Sequence, residues 1–142
     1  MKHSKPFRLA AAAASVALCA PLAAAADEQS AGERELAEIL EGRVPGEPVD
    51  CLSDAESDRM QIVDDTAFVF RDGATIYVNR PRGARVLDRS DLPVFHQLGT
   101  QLCRLDRVEL RDRIGGIPGP VIVLDEFIPY SKTAGESAGE GG

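Results

Sequence analysis

Arg80, Arg82, Arg85 and Arg89 crowd a short stretch around Pro81 and Gly83. Guanidinium groups form paired, charge-assisted hydrogen bonds with carboxylates and phosphates. Proline and glycine shape a tight turn that would present them. The chain carries 16 basic and 23 acidic residues. Such a cluster on an anionic chain is the leading candidate for binding an anionic ligand or a protein partner. The competing reading is a solvated loop whose arginines pair with Asp88, Asp91 or the acidic run from Asp54 to Asp58, because surface ion pairs are common and weak.

Other chemistry is less well supported. Histidine-assisted hydrolysis would need His96 beside a nucleophile, with Ser53, Ser57 and Ser90 as the candidates, and an orienting acid. No serine lies in a GxSxG elbow. Asp64 and Asp65 with Asp50 or Asp54 would supply a carboxylate pair, but no spacing selects one, and the tryptophan common in sugar sites is absent. The segment 50–58 is acidic without the repeating loop that holds calcium. Residues 115–120, GGIPGP, have no lysine and no following helix, so they read as a connector and not a phosphate loop. No cofactor and no metal site is expected.

Lys2, Lys5 and Arg8 precede an apolar, alanine-rich run over residues 9–22, and small residues follow at 23–26. This is the pattern of a secretory signal peptide over residues 1–26, cleaved near Ala26-Asp27. It is too short and alanine-rich to anchor in a membrane. Cys19 lies inside it, and Leu18 before it is a poor fit to acylation. Cleavage leaves 116 residues, with 13 basic against 23 acidic side chains, hence a charge of −10. So anionic a chain is disfavoured for nucleic acid. The expected compartment is the periplasm, with no integral membrane segment after cleavage.

The exported part would hold Cys51, Cys103 and the lone histidine His96. An isolated cysteine pair in an oxidising compartment most often forms a disulfide. Two separate thiols are the alternative. Closing a loop of about 50 residues removes roughly 4 kcal/mol of unfolded-state entropy.

The elements that position these groups are short. Ser30 and Glu33 match a capping box, and Leu36, Ile39 and Leu40 follow at helical spacing. Gly42 is a natural stop. The stripe is expected to pack on a sheet, with Glu33, Glu35, Glu38 and Glu41 outside. A membrane contact is disfavoured, because that acidic face would be repelled by anionic lipid.

Residues 66–79, TAFVFRDGATIYVN, carry the strongest strand signal. Asp72-Gly73 between β-branched and aromatic runs predicts a two-residue type I′ turn. That register pairs Arg71 with Ala74, Phe70 with Thr75, Val69 with Ile76, Phe68 with Tyr77 and Ala67 with Val78. Phe68, Phe70, Thr75 and Tyr77 then share one face, and Ala67, Val69, Ile76 and Val78 the other. Both faces are apolar, so both are expected to be covered.

Further strands are predicted at 49–52, 60–63, 94–98, 107–111 and 121–124, the last extending toward Phe127 and Ile128, while 101–105 carries Cys103. Val86 and Leu87 would anchor a short strand, and residues 90–93 a turn. In 107–111, Val108 and Leu110 alternate with Glu109 and Arg111. The expected fold is mainly β: a small antiparallel curled sheet, barrel- or sandwich-like, with one short N-terminal α-helix. A single domain spans 27–131, and 132–142 reads as a disordered tail.

The segments LEGRVPGEPVDCL, IYVNRP, QLCRLDRVEL and VIVLDEFIPY resemble a family of small exported proteins of Gram-negative bacteria known only as a domain of unknown function. The resemblance covers residues 36–130. Its most specific pieces are YVN-R-P at 77–81 and L-C-x-x-D at 102–106. It implies export and a cysteine pair, and carries over no catalytic residue. The function expected is non-enzymatic binding or accessory work in the cell envelope, with an unknown protein or small anionic ligand as partner. The alternatives are a carrier with an apolar ligand between sheet and helix, and a hydrolase using His96.

Overall fold

Ser30 starts the first helix as expected. In the computed structural model, which describes residues 29–133, its Oγ accepts a hydrogen bond from the Glu33 amide at 3.2 Å. Helix α1 runs Ala31–Ile39 and buries Leu36 at 1% exposure. Gly42 ends the turn at φ +71°, where a side chain would strain the backbone. Gly32 lies where α1 crosses the turn after the third strand. A Cβ there would overlap Thr66 Oγ1 and the Asp64 carbonyl. Only glycine lets the helix approach this closely.

The strands are β1 (Arg43–Pro45), β2 (Cys51–Leu52), β3 (Met60–Val63), β4 (Ala67–Asp72), β5 (Thr75–Asn79), β6 (Asp91–His96), β7 (Leu102–Cys103), β8 (Arg107–Asp112), β9 (Pro118–Val123) and β10 (Phe127–Lys132). One helical turn, α2 (Asp54–Ser57), lies between β2 and β3. A five-stranded sheet has the order β1-β10-β5-β4-β3, a three-stranded sheet β6-β8-β9, and β2 pairs with β7. Every described pairing is antiparallel. The fold is therefore mainly β, an open sandwich with a helix on one face, and its sheets do not close into a barrel.

Strand β4 is the centre. Ala67, Phe68, Val69 and Phe70 are all 0% exposed, so both of its faces are covered. On one face, Val63, Ala67, Val69, Ile76 and Val78 pack beneath Leu36, Ile39 and Leu40 of the helix side. These side chains occupy the space assigned to an apolar ligand. On the other face, Phe68 and Phe70 meet Val108, Leu110 and Ile122 of the three-stranded sheet. Phe95 of β6 lies 5.8 Å from Phe68 and 6.4 Å from Phe70, ring to ring. Each buried phenylalanine contributes about 2–3 kcal/mol by leaving water.

The hairpin keeps the predicted faces and changes the predicted partners. Asp72 pairs with Thr75, Arg71 with Ile76, Phe70 with Tyr77, Val69 with Val78 and Phe68 with Asn79. The turn is centred on Gly73-Ala74, one residue later than expected. Of the two, only Gly73 has positive φ, +53°, which is the sign pattern of a type II′ turn. Asp72 stays extended and avoids the left-handed region that a type I′ turn would impose on it. Each partner moves by two residues, and since side chains alternate with period two, no side chain changes face. The shift also brings Asn79, fully buried, to donate from Nδ2 to the carbonyls of Asp125 and Glu126 at 2.5 and 3.3 Å.

Other expectations need correction. Residues 90–93 do not form a turn, because β6 already starts at Asp91 and pairs with Asp112. Residues 84–86 form a 3-10 turn instead of a strand, and Leu87 buries at 2% exposure beside it. Strand β10 reaches Lys132, opposite Arg43, so the ordered chain passes the boundary expected at 131. The signal peptide over 1–26 and most of the expected tail lie outside the described residues.

Candidate functional site

The arginine cluster divides in two. Arg80 makes a two-armed bond to Glu33, Nη1 to Oε1 at 2.5 Å and Nη2 to Oε2 at 2.9 Å. That bond holds the Glu33 carboxyl below its ordinary range. Arg89 reaches Glu35 and Asp64, each at 2.6 Å. These two arginines clamp α1 and the β3–β4 turn to the connection after β5. Their partners are not those the sequence suggested, because the helix turns its first acidic residues toward the arginines and not to open solvent. Arg82 and Arg85 are exposed and have no ion-pair partner among the described residues.

His96 meets Glu109, Nε2 to Oε2 at 3.4 Å, and Glu109 in turn accepts from Arg111 Nε at 2.9 Å. The Arg111 bond lowers the pKa of Glu109. The candidate serines bond elsewhere. Ser53 Oγ donates to Glu56 Oε2, Ser57 Oγ donates to the Asp54 carbonyl, and the Ser90 hydroxyl bonds Asp88. Asp64 is taken by Arg89, while Asp50 faces Arg104 at 3.9 Å. Glu56 accepts the Ser53 amide at 2.7 Å and the Tyr77 hydroxyl at 2.9 Å, fastening α2 to β5. Burial, then the Glu56 bond, pushes the Tyr77 phenol up to about 12.

Cys51 and Cys103 stand directly opposite each other in β2 and β7 and are joined by a disulfide, with Cα atoms 4.0 Å apart. The bond anchors a tight turn over residues 103–106. The Asp106 amide donates to the Cys103 carbonyl at 3.1 Å, and Asp106 Oδ2 accepts the Cys103 amide at 2.7 Å. The Arg104 amide donates to the Asp50 carbonyl at 2.6 Å, and the Leu105 amide to the Leu124 carbonyl at 3.1 Å. The turn is thus pinned at every amide from 103 to 106.

Leu105 occupies the third position of that turn with φ +75°. A turn of this sign pattern normally places glycine or asparagine there. A leucine in the left-handed region costs about 1–2 kcal/mol. The side chain gains little in exchange, since it is 67% exposed.

Three surface depressions meet at Leu105. The first, of about 290 Å³, lies between Arg82, Arg104 and Val121, floored by Ile122 and Leu124. The second, of about 530 Å³, extends past Cys103 to Leu98. The third, of about 470 Å³, runs to His96 and Arg107. Leu98 is 98% exposed and Val121 56%. The result is an apolar knob flanked by open hollows and ringed by arginines.

Of the four arginines in the 80–89 cluster, Arg82 alone lines the hollow beside Leu105; Arg104 and Leu105 lie outside that cluster. The L-C-x-x-D spacing of Leu102, Cys103 and Asp106 signals a closed turn. Nothing local in the sequence signals that its leucine sits at positive φ.

Compared with known protein families, curated proteins and solved structures, the chain matches none. Among the described residues, no helix is long and apolar enough to cross a membrane.

Proposed function

We propose that this is an exported, non-enzymatic binding protein of the cell envelope, and that it meets its partner through the Leu105 turn together with Arg82. The carrying observation is Leu105 itself: a solvent-facing leucine held at positive φ by a disulfide, three backbone–backbone hydrogen bonds and one to the Asp106 carboxylate. Backbone strain of this kind persists where surrounding structure enforces it, and it clusters at binding and active sites. Arginine is enriched at interface hot spots, and the exposed aliphatic side chains beside it offer apolar surface for a partner to bury. The export half of the proposal is supported by the basic and alanine-rich leader, and the disulfide is compatible with an oxidising compartment.

The test is site-specific photo-cross-linking in the producing bacterium. A photoreactive residue at Leu98 is expected to trap a discrete protein, identifiable by mass spectrometry. The same group at Glu38, on the helix, is expected to trap none. Leu105→Gly should abolish the Leu98 product. Equal trapping at both positions, or a product indifferent to Leu105→Gly, refutes the assignment of the surface. Amino-terminal sequencing of periplasmic material should begin at Asp27; intact Met1 would refute export.

A further inference from the structure

We infer that the Leu105 surface binds an extended, acidic segment of a protein partner that carries aliphatic side chains; this rests on the binding role proposed above. The shape sets the size of the occupant. A small molecule is held where a pocket buries most of its surface. Here three open hollows lie side by side, from Arg82 and Val121 on one flank to His96 and Leu98 on the other, and Leu105 borders all three. A chain lying across the knob fills them together.

Charge sets its sign. Arg82 and Arg107 have no ion-pair partner among the described residues, and Arg104 has only Asp50, at 3.9 Å. The carboxylates closest at hand are committed to the backbone: Asp106 accepts the Cys103 amide and Asp125 the Glu126 amide. Three available guanidinium groups around these hollows are complementary to carboxylates. A membrane surface is the poorer match, because the hollows are concave and a bilayer face is broad and flat.

The mode follows from β9. It is the outer strand of its sheet, and Pro118 and Pro120, which have no amide hydrogen, make it a poor template for an added strand. Arg82 already bridges Val123 at the strand's far end. Strand addition is disfavoured along this edge, and recognition is through side chains. Aliphatic groups enter the hollows beside Leu105, and carboxylates meet Arg82, Arg104 and Arg107.

The experiment uses the oxidised protein and a fluorescent synthetic peptide of glutamate and leucine with serine spacers. A peptide with lysine for glutamate, and vesicles of phosphatidylglycerol, are the comparisons. The acidic peptide is expected to bind at least about tenfold more tightly than the lysine peptide, and to weaken severalfold as salt is raised. Arg82→Ala with Arg104→Ala, and separately Leu105→Gly, should each weaken it about tenfold with the urea midpoint showing an intact fold. Equal affinity for both peptides overturns the inference, as does binding indifferent to these variants. Tighter binding to the vesicles through the same residues overturns it too. If the Leu98 cross-link forms and depends on Leu105 while the acidic peptide shows no preference, the partner's chemistry is wrong and the surface stands. If neither occurs, both proposals fall.

Discussion

At position 105 the ordinary order of glycine and alanine should reverse. Within an ordinary strand or helix, alanine is more stable than glycine by roughly 0.5–1 kcal/mol, because glycine loses more backbone freedom on folding. Leu105 sits at φ +75°, where any side chain costs about 1–2 kcal/mol and glycine nothing. Subtracting the entropy from the strain leaves Leu105→Gly more stable than Leu105→Ala by about 0.5–1 kcal/mol. Truncating the side chain cancels in this comparison apart from one methyl. The parent leucine, two-thirds exposed, loses only about 0.5–1 kcal/mol of burial in either variant. Leu98 is the control: it is 98% exposed and its φ is not positive. Urea unfolding is the assay. At a slope near 1–3 kcal/mol per molar, the advantage of the glycine variant shifts the midpoint by a few tenths molar. If Leu105→Ala is the more stable of the pair by the margin seen at Leu98, the turn is not strained and the central observation behind the binding proposal is lost.

Gly32→Ala should destabilise by about 1–3 kcal/mol in urea, although alanine is the better helix former by about 1 kcal/mol, because its Cβ meets Thr66 and the Asp64 carbonyl. Unchanged or increased stability would show that α1 does not sit this close. In a spectrophotometric pH titration, one of the two phenols should ionise late, near 12, and Tyr77→Phe should remove that step. The folded state favours the neutral phenol, so this stabilisation is fully present below 10.0 and fades as pH rises toward about 12. An ordinary titration of both tyrosines would refute the Tyr77–Glu56 bond. Replacing Cys51 and Cys103 with alanine should cost about 4 kcal/mol in denaturant unfolding and abolish the Leu98 cross-link, since β2 and β7 are two residues each. Retained cross-linking would show that the turn holds without its anchor.

What the sequence determined by itself was whatever depends on neighbours along the chain. Helix α1 follows from its cap at Ser30 and the spacing of Leu36, Ile39 and Leu40. Alternation placed Phe68 and Phe70 on one face of the hairpin and Val69 and Ile76 on the other. It also placed Val108 and Leu110 inward in β8. The predicted span 60–63 coincides with β3 because its apolar run ends at the Asp64-Asp65 turn. Period two survives a register shift of two, so faces were legible where partners were not. The remainder depends on contacts made when distant segments pack. The turn moved from Asp72-Gly73 to Gly73-Ala74 because one positive φ is less costly than two. Arg80 and Arg89 found Glu33, Glu35 and Asp64 because folding lays the helix across the sheet, tens of residues from the arginines in sequence. Leu105 acquired its left-handed backbone because two distant parts of the chain close on its turn, Asp50 with the disulfide-bonded Cys51 on one side and Leu124 on the other. Local spacing encodes which way a side chain faces; which long-range neighbours then constrain it is settled only when the sheets pack.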